Sequence, residues 1–218
     1  MKTERDLTQF QKDNFGSMLG QDSWVIEEVY NFMEDGYFVD IGATDGVTIN
    51  NTVALEDEFH WTGICIEPNT HFEELKKNRP NCDLCNLAVF NKTGAIVEFQ
   101  EDDIYAAGAL SGIKEYFDCH QVSGPTFQKE TISLFDLLKK YDAPEFIEYL
   151  SLDTEGSEFI ILENFPFKKY TFGAITVEHN YIVPKRVAIR DLLESKGYIW
   201  IKELQEDDCF VHESVKIE

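Results

Sequence analysis

Short apolar runs alternate with amphipathic stretches along this chain, and the alternation predicts its elements. Runs of mostly apolar or β-branched residues predict buried strands at 37–41, 61–66, 82–89, 146–153 and 173–180. Helical spacing predicts helices between them at 47–59, 71–78, 134–141, 158–163 and 186–196. Residues 198–204 and 209–212 predict a closing β-hairpin. Strands that alternate with helices indicate an α/β fold with a largely parallel sheet.

The chain is predicted to form one domain, because 218 residues fit a single α/β unit. We expect residues 1–36 to form a helical segment that packs on the core, and residues 37–218 to form the main domain. Residues 101–124 fit no regular pattern and contain Gly108, Gly112 and Gly124. Loops of this length in a compact domain are typically lids or substrate loops. We therefore expect this insertion to select the substrate; a surface insertion without function is the alternative.

The first apolar run ends in an acid and a turn with glycine at both ends, Asp40-Ile41-Gly42-Ala43-Thr44-Asp45-Gly46. Glycine lets backbone N–H groups approach a ligand closely, and the helix that follows points its positive end at that ligand. The turn therefore predicts a nucleotide-type ligand. A dinucleotide fingerprint would need glycine at 44 and 47, where the chain has Thr44 and Val47. The alternative is a turn whose glycines serve its geometry alone.

Two later segments extend this predicted site. Glu67 ends the second run, 21 residues past Gly46, where doubly wound folds place the carboxylate that binds ribose hydroxyls. The stretch Asn86-Leu87-Ala88 lies near the end of the third run, in position to wall an adenine ring. A simple buried strand end fits that stretch equally well.

The fourth and fifth runs also end abruptly in polar residues, Asp153-Thr154-Glu155-Gly156 and Glu178-His179-Asn180. Because ligands bind outside the carboxyl ends of parallel strands, we expect these side chains to converge with those of the first two strands. Helix capping by Asp153 or Thr154 is an alternative explanation for part of this pattern.

The charge balance narrows the expected partners. The chain carries 19 Lys and Arg against 41 Asp and Glu, a net charge of −22, which repels phosphate backbones and anionic lipids. A neutral or cationic substrate is therefore favoured, with no nucleic acid and no membrane partner; acidity that mainly serves solubility is the alternative. The residues after Met1 lack an apolar signal core, and no run is long enough to span a membrane. The five cysteines lack the paired spacing of a disulfide framework, which favours reduced thiols and a cytoplasmic location. Cys82-x-x-Cys85 could indicate a zinc or redox site, but no second cysteine pair is present, so structural residues are favoured.

Four segments resemble the FkbM-type methyltransferases. They are Gly20-Gln21-Asp22, Phe38-Val39-Asp40-Ile41-Gly42-Ala43, Gly63-Ile64-Cys65-Ile66-Glu67-Pro68-Asn69 and Leu152-Asp153-Thr154-Glu155-Gly156-Ser157-Glu158. The resemblance extends in order over residues 20–212. It implies a Rossmann-like class I methyltransferase fold: a mostly parallel seven-stranded sheet, from five runs and the hairpin, with an antiparallel last strand and helices on both faces. It also implies methyl transfer from S-adenosylmethionine, commonly to a hydroxyl of a sugar or other natural product.

The resemblance assigns roles to particular residues. The expected cofactor contacts are Asp40, Gly42, Ala43, Asp45, Gly46, Glu67, Pro68, Asn86, Leu87 and Ala88. His179 ends a predicted core strand and is the expected general base for the hydroxyl; a structural histidine is the alternative. Asp153 and Glu178 would orient His179, or would with it hold a divalent cation such as Mg²⁺ or Ca²⁺. Glu155 and Asn180 are expected to contact the substrate.

A second hypothesis is a binding or scaffold protein that keeps the fold and the cofactor without turnover. The intact polar strand ends at 153–156 and 178–180 favour an enzyme instead. NAD-dependent oxidoreduction is a third hypothesis, which Thr44 and Val47 disfavour.

Overall fold

A computed structural model describes residues 16–105, 108–117 and 122–217. The strands are β1 (Tyr37–Ile41), β2 (Thr62–Ile66), β3 (Asp83–Cys85), β4 (Ala88–Phe90), β5 (Ile96–Gln100), β6 (Gly112–Ile113), β7 (Thr126–Ser133), β8 (Phe146–Leu152), β9 (Thr171–Glu178), β10 (Tyr198–Leu204) and β11 (Asp207–His212). The helices are α1 (Gln21–Ser23), which continues as a π-helical segment over Trp24–Val29, α2 (Val53–Phe59), α3 (Phe72–Asn78), α4 (Leu134–Lys140), α5 (Glu158–Glu163) and α6 (Val183–Glu194).

The main sheet has seven strands in the order β10-β11-β9-β8-β1-β2-β3. β1 lies at its centre and pairs in parallel with both β2 and β8. β11 is antiparallel to its neighbours β9 and β10, because a tight hairpin returns the chain beside β9. The predicted α/β class, with its mostly parallel seven-stranded sheet and antiparallel last strand, is therefore confirmed.

Helices cover both faces of this sheet, because successive side chains of a strand point to opposite faces. Phe38 of β1 packs with Trp24 and Trp61 on the face covered by the α1 segment, α2 and α3. Val39 packs on the other face, with side chains of α4, α5 and α6. Both faces are buried, so the central strands are mostly apolar, and acidic residues follow or close them at their carboxyl ends.

A second sheet, in the order β4-β7-β5-β6, was not predicted. The strand expected at 82–89 is two strands, since β3 joins the main sheet whereas β4 pairs with β7. β7 escaped prediction because its first five residues, Thr126 to Glu130, alternate between exposed and half-buried positions and include one apolar residue. The predicted insertion at 101–124 contributes β6 to this sheet.

The helix predicted at 47–59 begins only at Val53. Asp40 explains the difference, because its carboxylate accepts hydrogen bonds from the Asn50 amide (2.9 Å) and the Thr52 hydroxyl (2.8 Å). The Asn50 side-chain oxygen Oδ1 in turn accepts hydrogen bonds from the backbone N–H groups of Thr52 and Val53. This network keeps residues 47–52 as an irregular turn.

At the N-terminal end, the α1 segment buries Trp24, Val25 and Ile26 against β1 and α2. The predicted helical segment is wrong at 16–20 and 30–36, which are turns and irregular backbone, and residues 1–15 lie outside the described residues. Cys65, Cys82, Cys85 and Cys209 are free thiols. No helix among the described residues is both long and apolar enough to cross a membrane.

Candidate functional site

Two adjoining cavities open at the carboxyl ends of the parallel strands. The β1–β2 cavity lies beyond the ends of β1 and β2 and holds about 60 Å³. The β8–β9 cavity lies beyond the ends of β8 and β9 and holds about 550 Å³. Four residues line both cavities: Ile49, Asn51, Ala109 and Asp153. The two spaces therefore meet at Asp153, the first residue after β8.

The meeting point depends on Gly42. Its φ is +96°, and a Cβ at this position would lie 2.1 Å from the backbone oxygen of Asp153. Any other residue would push the end of β1 away from the end of β8. The glycine predicted for close approach to a ligand thus also lets the two strand ends approach each other.

Glu67 lines the β1–β2 cavity, as the sequence predicted. Its Oε2 accepts the backbone N–H of Thr44 and its Oε1 that of Asn69, each at 2.9 Å. Burial raises the pKa of Glu67 to about 7, although these hydrogen bonds oppose the shift. Each oxygen retains a further acceptor site, so the carboxylate can still accept two hydroxyl groups.

Three more of the predicted cofactor residues, Gly42, Pro68 and Ala88, line the same cavity. Ile66, Val89, Phe99 and Ile113 form an apolar part of its wall. The volume is far below the roughly 300 Å³ of a small ligand pocket, and the segment 108–113 supplies four of the lining residues: Gly108, Ala109, Ser111 and Ile113. A nucleoside would therefore need this cavity to widen.

The other six predicted cofactor residues line neither cavity: Asp40, Ala43, Asp45, Gly46, Asn86 and Leu87. They build the loops instead. Asp45 accepts hydrogen bonds from the backbone N–H groups of Val47 and Thr48 within its own turn. Asn86 donates to the Glu67 carbonyl oxygen at 2.7 Å and so holds the loop that carries Glu67.

Three acidic side chains meet in the β8–β9 cavity. Asp153, Glu155 and Glu178 each place one carboxylate oxygen within 4.8 Å of the others. Glu178 is only 6% exposed, and its Oε2 has no hydrogen-bond partner; nor has Oδ1 of Asp153. Burial raises the pKa of both groups well above the ordinary range, and repulsion from the neighbouring carboxylates adds to the shift.

Glu158 holds the loop that presents these acids. Its Oε1 accepts the backbone N–H groups of Thr154 (2.9 Å) and Gly156 (3.0 Å), and its Oε2 accepts Lys185 Nζ at 2.9 Å. Between those two anchors, Glu155 adopts a left-handed φ of +59°, a rare conformation for this residue type. The sequence pattern 153–158 is therefore a fixed turn that directs carboxylates into the cavity.

His179 does not join this group. It is 1% exposed, lines neither cavity, and its Nε2 lies 3.7 Å from Asp208. Its Nδ1 accepts the backbone N–H of Tyr181 at 3.0 Å, and burial lowers its pKa. The strand register explains this, since Glu178 and His179 are consecutive and point to opposite sides of the sheet. Its neighbour Asn180, in contrast, lines the β8–β9 cavity, 3.5 Å from Glu155.

Three further polar residues line the cavities: Asp207 and Asn51, to which the sequence assigned no role, and Gln21, which lies in one of the four family-like segments. Asp207, expected in a turn, is the first residue of β11 and pairs with Glu178 in register, so both side chains point into the β8–β9 cavity. Gln21 donates to Asp207 at 2.9 Å. Asn51 lines both cavities and donates to Ser151 at 3.0 Å. Asp207 could have been found by pairing the predicted hairpin with the fifth predicted strand, because that pairing places it opposite Glu178.

A comparison with known protein families gives one match to this chain. The model described as Methyltransferase FkbM domain matches residues 40–200, well over half of the chain. No curated protein matches. The METTL16 MTase domain is similar in structure, with a TM-score of 0.52 at 10% identity over 95% of this chain and 77% of that one. The precorrin-6y C5,15-methyltransferase from Geobacter metallireducens GS-15 reaches 0.47 at 11% identity over 92% and 89%. At such identities the likeness concerns the fold alone.

Proposed function

Because the chain belongs to the FkbM-domain methyltransferases, we propose that it transfers a methyl group from S-adenosylmethionine to a hydroxyl oxygen of a small molecule or glycan. The observation that carries this proposal is the junction of the two cavities at Asp153 and Asn51. Methyl transfer is an in-line displacement, so donor and acceptor need separate spaces that meet at the reacting atoms. S-adenosylmethionine, when bound, supplies the methyl group as part of a sulfonium.

The β1–β2 cavity is the proposed donor site. Glu67 would accept the ribose hydroxyls, and the apolar wall that includes Ala88 and Val89 would face the adenine. Pro68, which follows Glu67, lies in the same wall. Binding requires this cavity to widen, so we expect hydrogen exchange of the amides in the lining segment 108–113 to change when the cofactor or S-adenosylhomocysteine binds.

Asp153 is the proposed general base, in place of His179. It stands at the junction of the cavities and carries a buried oxygen without a hydrogen-bond partner. As the acceptor oxygen bonds to the methyl carbon, the carbon–sulfur bond breaks and sulfur keeps its electron pair. The hydroxyl proton passes to the Asp153 carboxylate. His179 is 1% exposed and lines neither cavity, which supports the choice of Asp153 over it.

The β8–β9 cavity is the proposed acceptor site. Its walls include Leu19, Ile49 and Leu110, whereas its floor carries Asp153, Glu155, Glu178 and Asp207. An acceptor with an apolar body and a hydroxylated end fits that division. The acidic floor disfavours polyanions, which supports a small molecule or glycan over a nucleic acid.

Calorimetry with S-adenosylhomocysteine, followed by labelled-methyl screening of hydroxylated acceptors, tests the proposal. We expect saturable heat and a labelled product from wild-type protein. Binding without product from any acceptor would favour the alternative of a non-catalytic protein that keeps the fold. Absence of heat with folded protein would refute the methyl-donor site.

A further inference from the structure

We propose that Asp153, Glu155 and Glu178 form a binding site for a hard divalent cation, Mg²⁺ or Ca²⁺, on the floor of the β8–β9 cavity. The cation's role in catalysis rests on the proposed function, but its binding does not. His179, which the sequence suggested as a ligand, is not part of this site.

The geometry suits such an ion. One carboxylate oxygen from each of the three residues lies within 4.8 Å of the other two. Oxygens bound to one ion at about 2.1–2.5 Å are separated by no more than roughly twice that distance. The ligands come from the ends of two paired strands, β8 and β9, and the turn at 154–156 is held by Glu158. The three oxygens are thus positioned before any ion binds.

Two side-chain atoms point to a missing partner. Oε2 of Glu178 and Oδ1 of Asp153 are buried and accept no hydrogen bond. Glu178 is 6% exposed and lines the cavity wall together with Asp153 and Glu155. Buried carboxylate oxygens in proteins are normally paired or bound to a metal. Two such atoms from different strands, facing one cavity, favour a ligand that both can bind.

The carboxylates around the three acids favour a bound cation. Asp207 lies opposite Glu178 in the sheet, and Glu158 lies on the next helix. Lys185 offsets part of this charge, but its Nζ already contacts Glu158 at 2.9 Å. A divalent ion would neutralise the cluster more fully than the single charge of an organic ammonium group.

A second group of possible ligands, His179, Glu203 and Asp208, also satisfies the distances. Its chemistry differs, because Asp208 already accepts Arg190 Nε at 2.7 Å and Arg186 Nε at 3.0 Å. Two guanidinium groups repel a metal ion, so this group serves as a matched control.

At the junction of the cavities, the ion would contact the acceptor hydroxyl and lower its pKa. The proton would then leave to the free oxygen of Asp153, as described above. This role predicts that removing the ion reduces methyl transfer without reducing cofactor affinity.

Titration of EDTA-treated protein with Mn²⁺, followed by the electron paramagnetic resonance signal of free Mn²⁺, tests the site. We expect about one ion per chain, competed by Mg²⁺ or Ca²⁺. Glu178→Gln and Glu155→Gln should each weaken Mn²⁺ binding by roughly tenfold or more, since each removes a charged ligand. Glu203→Gln should leave it unchanged. Circular dichroism shows that each variant is folded, whether or not it binds S-adenosylhomocysteine.

The outcomes separate the two proposals. Mn²⁺ binding that Glu178→Gln weakens and Glu203→Gln does not supports the site, even if S-adenosylhomocysteine fails to bind. No Mn²⁺ binding by wild-type protein that binds S-adenosylhomocysteine overturns the metal site alone. It is likewise overturned if Glu203→Gln removes the binding, or if only an organic ammonium such as putrescine occupies the cavity.

Discussion

Buried acids on the two sides of the sheet have opposite surroundings, although they are neighbours in sequence. Asp207 and Asp208 are consecutive in β11, so their side chains point to opposite faces. Asp207 faces the β8–β9 cavity beside Glu178. Asp208 faces α6, where Arg186, Arg190 and the Trp200 indole all donate to it.

Their pKa values show what these surroundings do. Burial raises the pKa of Asp207 to about 7, against the hydrogen bond from Gln21. At Asp208 burial is outweighed by hydrogen bonds from Arg190, Arg186 and Trp200, which lower the pKa to about 2. A buried acid that accepts several charged hydrogen bonds, such as Asp208, keeps its carboxylate form favourable, whereas one with a single neutral donor, such as Asp207, costs stability when it ionises. Acids of the second kind, gathered in a cavity, indicate a site that is retained for function.

The largest expected effect is on turnover. Asp153→Asn removes the proposed base but keeps the size of the side chain, so methyl transfer should fall by roughly 10²–10⁴-fold. Single-turnover rates with labelled cofactor measure this, and S-adenosylhomocysteine affinity should change little. Asp57→Asn, at an exposed position of α2, is the control. Turnover at the wild-type rate in Asp153→Asn would assign the base elsewhere.

The next largest expected effect is on the stability of the sheet face where Asp208 accepts its hydrogen bonds. Asp208→Ala removes the acceptor that Arg186, Arg190 and the Trp200 N–H share, and Arg186 keeps its contact with Glu203. The free energy of unfolding should fall by roughly 2–4 kcal/mol, as measured by urea denaturation at neutral pH. Asp207→Asn, one residue away, should cost little or nothing. Equal losses in the two variants would contradict the distinction between the two faces.

A smaller effect of pH should follow from the same acid. The folded pKa of Asp208, about 2, lies below its ordinary value of 3.8. Its contribution is therefore complete above about pH 4 and is lost as pH falls towards 2. The free energy of unfolding of wild type should exceed that of Asp208→Asn by roughly 1–2 kcal/mol at neutral pH, a value reduced by the solvent access of the arginines. This difference should shrink as pH falls towards 2. Asp207, with its raised pKa, should show the opposite trend: its contribution declines as pH rises from about 4 to 7.

Much of the fold was predictable because its signals are local. The central strands are buried on both faces and end in polar residues, so apolar runs such as the one ending at Ile41 mark them clearly. β7 was missed because its mixed, half-exposed residues gain their partners from β4 and β5, distant in the chain. The start of α2 was missed because Asp40 fixes the preceding turn through tertiary hydrogen bonds.

The candidate site was predictable to the level of strand ends but not of side-chain direction. Glu67, Asp153, Glu155 and Glu178 do line the cavities. The sequence could not show that His179 faces Asp208, because that depends on where β9 ends and on the partner strand β11. Asp207 was missed for the same reason, since its role arises from pairing with Glu178 across the sheet.

The smallest expected effect concerns Glu178 itself. Replacing its charge with an amide in Glu178→Gln relieves repulsion from Asp153 and Glu155. In EDTA-treated protein, the free energy of unfolding should rise slightly, by about 0.5–1 kcal/mol. Urea denaturation measures this, and Glu203→Gln, which removes an exposed carboxylate beside Arg186, should instead be neutral or slightly destabilising. A loss above roughly 1 kcal/mol in Glu178→Gln would show that Glu178 stabilises the fold like Asp208, and the contrast between the two faces would fail.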